Sequence, residues 1–572
     1  MTSPAINSFD SFPQYAFRHS KLGEIIGLAR GSDVVQFRGI PFAEIPARFR
    51  QSRLLESLPR QPFDARKSGA YCPQPLLPFP PYWEGDVPAD CPKLPAAPQD
   101  EFDCLNLNIT VPRDALEHSP LERLPVLFFI HGGAFIGGSQ SIQLTGREIY
   151  DATNLVRAAI ARKQPIVVVS CNYRVGPLGF LASKELVAFN QAHDEPVGNY
   201  GLHDQRQALE WCDKFIAGFG GEPKNVTIQG TSAGGSSAHY QSIFPGRKFR
   251  RAILASGTLT GIGPMSLEYQ QRSYDKYVSR CAEASTASDV DTVALLQSIT
   301  VNDMVKPVSD SIWHPLIDGE WIPGATMEKV CKVYSDGSAP DLMVGACDFE
   351  ADLTQLLLME DMISKKPASD AKMREKIHDL TSSNGMIVAP EKFPDAYPTI
   401  TDLYDITSSL EHPSSAMHRW ADILADIAFR IPGLHIAAHH PADVLVYEIQ
   451  CKNPYPLWNW SFGRANHAVN DLFLFDVAPD LVSGDLQDAH AGNVAQIRAA
   501  WLDFCYGKLP WEPYRMGGDE LGPMHIFDHG TKGRDGQTLE QAIGETLARK
   551  WRAILEANQR LLEEDGLATN NI

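Results

Sequence analysis

Six short apolar runs recur along the chain, each bounded by Gly, Pro or polar turns. They are Val126–Ile130, Ile166–Ser170, Val226–Gln229, Ala252–Ala255, Leu342–Gly345 and Val444–Ile449. They are mostly apolar on both faces, and Val226–Gln229 apart they do not alternate apolar with polar residues. A strand with one wet face alternates, whereas a strand of a parallel sheet covered on both sides does not. Helix-like stretches lie between the runs, at Leu202–Phe215 and Ala233–Phe244. Strand–helix alternation of this kind predicts an α/β fold with a mostly parallel central sheet flanked by helices.

Two stretches break the alternation, about 261–332 and about 351–441. They read as helical, amphipathic and charged, with Leu353–Met359 and Trp420–Phe429 as examples. The expectation is one catalytic domain over 1–572, with these two stretches as helical insertions that cap the sheet. The Pro-rich stretch from Tyr71 to Gln99 reads as a long surface loop, and Gly544–Glu564 as a peripheral amphipathic helix. No repeat is visible, and no apolar stretch reaches the ~18 residues of a membrane span.

With 51 Lys+Arg against 70 Asp+Glu the formal net charge is -19, which argues against nucleic acid as a partner. The ten Cys in 572 residues form no C-x-x-C pair and are too sparse for a disulfide scaffold. The first twenty residues lack the charged and apolar regions of a secretory signal, so a cytoplasmic location is expected.

The run Val226–Gln229 leads directly into Gly230-Thr231-Ser232-Ala233-Gly234, a G-x-S-x-G pattern followed by a small-residue helix. That context suits a sharp turn which lifts a strained serine above the sheet. The run Val126–Ile130 leads into IHGGAFIGGS, residues 130–139. A Gly-rich loop there can aim backbone N–H groups at a developing oxyanion. It lacks the G-K-[ST] and G-x-G-x-x-G patterns of phosphate loops.

A serine nucleophile needs a base, and the base an orienting acid, here expected in the order serine, acid, histidine. The run Leu342–Gly345 opens on Asp348, Glu350 and Asp352, the candidate acids. After Val444–Ile449 the next loop contains one histidine, His467. His439 and His440 precede that strand and read as structural.

Seven motifs in order carry a family resemblance. They are FRGIPFA (37–43), DCLNLNI (103–109), HGGAFIGGS (131–139), NYRVGPLGFLA (172–182), GNYGLHDQRQALEWC (198–212), FGGEPKNVTIQGTSAGG (219–235) and GRANHAVNDLFLF (463–475). Over nearly its whole length the chain resembles the type-B carboxylesterase/lipase family, of the α/β-hydrolase fold. The resemblance implies Ser232 as nucleophile, His467 as base and Glu350, five residues after Gly345, as acid. It implies the backbone N–H groups of Gly133, Ala134 and Ala233 as oxyanion donors. It also implies a disulfide between Cys72 and Cys104, with Cys91 in the same loop as a competitor.

Three positions depart from the family pattern. Thr231 stands where relatives often carry Glu before the nucleophile, which removes a negative charge and points to an uncharged substrate. Ala134 stands where many relatives have Gly. Phe102 replaces the Glu that usually pairs with the arginine matched by Arg38; Glu101 is the nearest acid able to take its place. Asn108, Asn225 and Asn459 lie in glycosylation sequons, of which the first two border strands and read as chance matches.

The expected activity is hydrolysis of a small-molecule, hydrophobic ester through an acyl-enzyme, with no metal or organic cofactor. Phe79, Tyr82, Trp83, Phe135, Trp313, Met359 and Trp458 are candidate pocket residues, though such residues are more often core. One alternative is acyl transfer to another nucleophile, as in a transacylase, lactonase or cyclising enzyme. Another is a non-catalytic binding protein on the same fold, against which the complete serine–acid–histidine set argues.

Overall fold

In a computed structural model the described residues are 12–74, 97–117, 122–144, 146–283, 291–306, 313–324, 327–334, 337–352, 360–361, 366–367, 402–405, 413–456, 461–515, 522–528, 534–537 and 548–551. Cys91, Phe79, Tyr82, Trp83, Leu353–Met359, Trp458 and Asn459 lie outside them, as does most of the expected last helix.

All six apolar runs are strands of one sheet. Its strands are β1 (Gln14–His19), β2 (Gly23–Ala29), β3 (Val34–Pro41), β4 (Asn106–Pro112), β5 (Leu124–Ile130), β6 (Val167–Cys171), β7 (Gly221–Thr231), β8 (Arg251–Ala255), β9 (Asp341–Cys347), β10 (Val444–Ile449), β11 (Met524–Phe527) and β12 (Arg534–Gln537). They lie in the order β1-β2-β3-β4-β6-β5-β7-β8-β9-β10-β11-β12, with the short strand Phe63–Asp64 beside β2. From β6 through β11 every neighbouring pair is parallel. β1 to β4 form an antiparallel extension joined to β6. This is the α/β-hydrolase architecture.

The lack of alternation in the runs has a direct cause. Phe128 and Ile130 of β5, Ile228 of β7 and Leu254 of β8 enter the apolar core on one face. Their neighbours Leu127, Phe129 and Ile253 enter a second core on the other. The first face is covered by α2 (Tyr200–Phe215), α3 (Ala233–Ser242) and α5 (Ile431–His439), the second by α1 (Thr153–Ala161), α6 (Val469–Phe475) and α7 (Gln487–Cys505). All ten residues of α3 are buried, so its small side chains let it lie tight against β7 and β8.

The stretch 261–332 contains helices at Leu267–Glu283, Thr292–Ser298, Val301–Val305 and Met327–Val333. The second stretch ends in helix. There α4 (Pro413–Ala425) runs through a π-helical turn, Asp426–Arg430, into α5. α5 packs on β9 and β10. Those strands are parallel neighbours, so the chain between them must cross over, and an apolar helix is the usual means. Among the described residues no helix is long and apolar enough to cross a membrane.

Candidate active site

The chain leaves β5 for β6 on one side of it and then returns to β7 on the other. Strand order reverses at β5, and ligands in open α/β sheets gather at such a point, beyond the carboxyl ends of the strands. The loops after β5, β7, β9 and β10 carry the Gly-rich stretch, Ser232, the three candidate acids and His467.

Ser232 joins β7 to α3 at φ 63° and ψ −129°. A side chain held there costs on the order of 1–3 kcal/mol, which the surrounding packing must overcome. The Ser232 N–H donates to Ala255 O at 2.9 Å. Glycines enforce the turn. A Cβ on Gly230 would meet backbone of Gly234 at 2.2 Å, and one on Gly257 would meet Ser232 O at 1.9 Å.

The Gly-rich loop lies against this turn, since a Cβ on Gly132 would sit 3.1 Å from Ser232 Cβ. Gly133, Ala134 and Phe135 take φ of 121°, 53° and 57°. This left-handed run folds the loop back, with Ile136 and Gly137 N–H both donating to Gly133 O. Tyr173 Oη donates to His131 O at 2.8 Å, and its ring stacks on His131, so the end of β6 anchors the loop. Among the described residues the N–H groups of Gly133, Ala134 and Ala233 donate to no other protein group.

The three candidate acids separate clearly. Glu350 is fully buried, and its Oε2 accepts His467 Nδ1–H at 2.5 Å. Its Oε1 accepts Ser256 Oγ–H and Cys347 N–H, each at 2.6 Å. Asp352, also fully buried, accepts the His467 backbone N–H at 3.2 Å. Asp348 is exposed; among the described residues only its backbone is hydrogen-bonded, with Arg430 Nη1 donating to its carbonyl at 2.8 Å.

With Nδ1 donating to Glu350, His467 presents Nε2, which is buried and has no hydrogen-bond partner among the described residues. Burial opposes charge on Glu350, but the His467 charge and the bonds from His467, Ser256 and Cys347 outweigh it and hold the carboxyl below its usual range. Burial likewise opposes protonation of His467, and Glu350 outweighs it and raises the imidazole above its usual range. The arrangement can deprotonate a hydroxyl at Nε2 and hold the resulting imidazolium.

Thr231 is tied to the same region. Its Oγ1 donates to Asp471 Oδ1 at 2.8 Å and accepts from Asn470 Nδ2 at 3.2 Å. Burial pushes the Asp471 carboxyl up to about 7. Phe429 from the π-helical turn lies on the His467 ring, with centroids 4.7 Å apart.

Sequence reasoning missed Ser256, Asp471 and Phe429. No local pattern marks them, because each reaches the site from a different strand or helix. Among the pocket candidates, Phe135 is fully buried against Phe180 and Trp313 is buried edge-on to Tyr277, so both are core.

The expected substitution of Glu101 as partner of Arg38 does not occur. Arg38 pairs with Glu148 and donates to Ser68 Oγ at 2.6 Å. Glu101 is taken by Arg48 in a two-point pair, Nε to Oε1 at 2.6 Å and Nη2 to Oε2 at 2.7 Å. Cys72 and Cys104 are buried neighbouring thiols; contact with the Cys72 sulfur, then burial, pushes the Cys104 thiol up. Asn108 is buried in β4, where its Oδ1 accepts Gly39 N–H. Asn225 accepts from Arg251 Nη1. No cluster of His, Cys, Asp and Glu suited to a metal ion occurs among the described residues.

The sequence pattern of the carboxylesterase family matches residues 16–505. Bile salt-activated lipase of Bos taurus is 27% identical over 531 residues, covering 86% of this chain and 79% of that protein. Para-nitrobenzyl esterase of Bacillus subtilis (strain 168) is 27% identical over 504 residues, covering 85% of this chain and 88% of that protein. A solved structure of PNB esterase superposes with a TM-score of 0.66 at 23% identity, over 94% of this chain and 100% of that one, a likeness of fold.

Proposed function

We propose, on the premise that this chain belongs to the carboxylesterase family and is a serine ester hydrolase, that Ser232, His467 and Glu350 carry the reaction through an acyl-enzyme. Ser232 Oγ attacks the ester carbonyl as His467 Nε2 takes its proton. The N–H groups of Gly133, Ala134 and Ala233 receive the oxyanion, each donor being worth ~3–4 kcal/mol of barrier. Glu350 keeps the proton on Nδ1 and stabilises the imidazolium. His467 then protonates the leaving alcohol, and water repeats the cycle on the acyl-enzyme.

One observation carries this reading. A buried carboxylate–imidazole pair, its Nε2 without a hydrogen-bond partner among the described residues, lies at the strand ends where the strained Ser232 also sits. The substrate class we propose is an uncharged, hydrophobic ester. Thr231 supports it by standing, neutral, beside the nucleophile. So does the apolar patch of Ala346, Ala428, Phe429 and Ile262, whose Phe429 ring covers one side of His467.

The test is exposure to a fluorophosphonate followed by peptide mapping, with Ser232→Ala beside the parent protein. An adduct on Ser232, and loss of ester turnover in Ser232→Ala at unchanged melting temperature, are expected. Unchanged turnover in that variant would sink the assignment. Product analysis with an alcohol or amine as competing acceptor separates hydrolysis from acyl transfer.

A further inference from the structure

The turn after β9 offers the base two buried carboxylates. Glu350 takes the imidazole ring, and Asp352, two residues on, takes the backbone N–H of the same histidine at 3.2 Å. The bond to Asp352 closes a short ladder between the two loops. Asp348 N–H donates to Ile449 O and Phe349 N–H to Ala465 O, both at 2.9 Å, and Phe349 bridges to Asn466. On the far side, Asn466 Nδ2 donates to the His467 carbonyl at 2.9 Å. The His467 backbone is therefore gripped at both its N–H and its C=O, and only the side-chain torsions are left to aim Nε2.

A carbonyl oxygen or a hydroxyl would satisfy that N–H at less desolvation cost than a carboxylate, which is expensive to bury. A carboxylate at this place also sets negative charge beside the histidine on which positive charge forms as Ser232 attacks. We propose that Asp352 is a positioning residue of the esterase site: its carboxylate fixes the His467 backbone so that the ring stays on Glu350, and it stabilises the imidazolium that forms as Ser232 attacks. The proposal rests on the catalytic reading of Ser232, His467 and Glu350.

Other groups around His467 define the background. Glu350 and Asp352 approach from the turn after β9, and Asp471 from α6. The uncharged Phe429 ring approaches from the π-helical turn, while Arg430 of that turn sits behind Glu350 and opposes their sign.

Asp352→Asn keeps an acceptor oxygen for the N–H and removes the charge. Its kcat and KM for a small chromogenic ester are measured across pH, beside the rate of Ser232 phosphonylation. The His467 imidazole is titrated by NMR in a Ser232→Ala background. KM is expected to hold and kcat to fall about three- to tenfold. The acid limb of kcat/KM and the His467 titration are both expected to move down by about half a pH unit or more, because the imidazolium has lost a nearby negative charge. Asp352→Ser, with a hydroxyl acceptor and no charge, is expected to give the same displacement and covers the case in which the Asn variant does not fold. An acid limb and a titration that both stay in place would reduce Asp352 to a loop cap and overturn the proposal. Failure of the parent protein to label at Ser232 or to turn over ester counts against the catalytic reading instead; the NMR titration still decides the part played by Asp352.

Discussion

Ala134 sits at φ 53°, in the left-handed region where a Cβ crowds the following carbonyl. What the proposed oxyanion site needs there is an N–H, and alanine supplies it at a conformational cost that glycine avoids. Ala134→Gly is therefore expected to raise stability by about 0.5–1 kcal/mol in urea denaturation, with kcat little changed. A fall in stability would mean that the methyl group packs usefully in the loop. Ser232 also sits at positive φ, and because the proposed reaction takes place at its hydroxyl, there the strain is kept. Thr231 shows a different economy. Its hydroxyl, bonded to Asp471 and Asn470, forms a polar tie between β7 and α6 without itself placing a charge beside Ser232.

The π-helical turn Asp426–Arg430 connects several parts of the site. It brings Phe429 onto His467 and Arg430 onto the carbonyl of Asp348, two residues before the acid. Arg430 in turn pairs with Asp426, which also accepts Trp551 Nε1–H at 3.1 Å and pairs with Tyr404. Trp551, only 2% exposed, thus ties the C-terminal segment 548–551 to the turn that carries Glu350. Trp551→Ala is expected to cost about 3–5 kcal/mol of stability and to lower kcat at saturating substrate, as the hold of Arg430 on the acid turn loosens. Trp551→Phe, which keeps the ring and loses the N–H, should lie between the two. A kcat for Trp551→Ala equal to that of the parent protein would show the two regions to be uncoupled.

Across the molecule, buried acids make stability depend on pH in opposite directions. Burial, with the Asp348 charge nearby, pushes the Glu448 carboxyl up to about 7 from an ordinary 4.5. Between those values the unfolded chain releases this proton and the folded one keeps it, so stability falls as pH rises through that window. Glu448→Gln removes the cost and keeps an oxygen to accept Gln450 Nε2. It is expected to match the parent protein near pH 4 and to exceed it above pH 7, by on the order of 3 kcal/mol in urea denaturation. Equal stability at both ends would show that Glu448 ionises freely in the fold. Glu350 acts in the other sense. Its folded pKa is depressed, so the stability it contributes is present above its unfolded pKa and is lost as pH falls through the folded value. His467, raised, contributes below its unfolded pKa and loses that contribution as pH rises through its folded value, the same range in which it becomes able to act as a base.

Much of the architecture was written locally. Apolar residues on both faces of a strand, a glycine on each side of a serine, and a strand that opens on three acids are short-range patterns. They sufficed for the six parallel strands, the elbow at Ser232 and the loop of His467. Of the antiparallel extension only a strand at Asn108 was legible; strands such as Gln14–His19 are partly exposed and carry mixed side chains that resemble loop. Three acids within five residues were equally eligible by spacing until the resemblance favoured Glu350. Only the tertiary structure separated them, by setting one on the imidazole, one on the backbone amide and one in solvent. The same holds for Arg38, whose partner Glu148 lies 110 residues away, and for Phe429 against His467. A residue's own propensity and its near neighbours decide which element it enters; which distant side chain it meets depends on strand register and on how helices cross the sheet, and these exist only once the chain has folded.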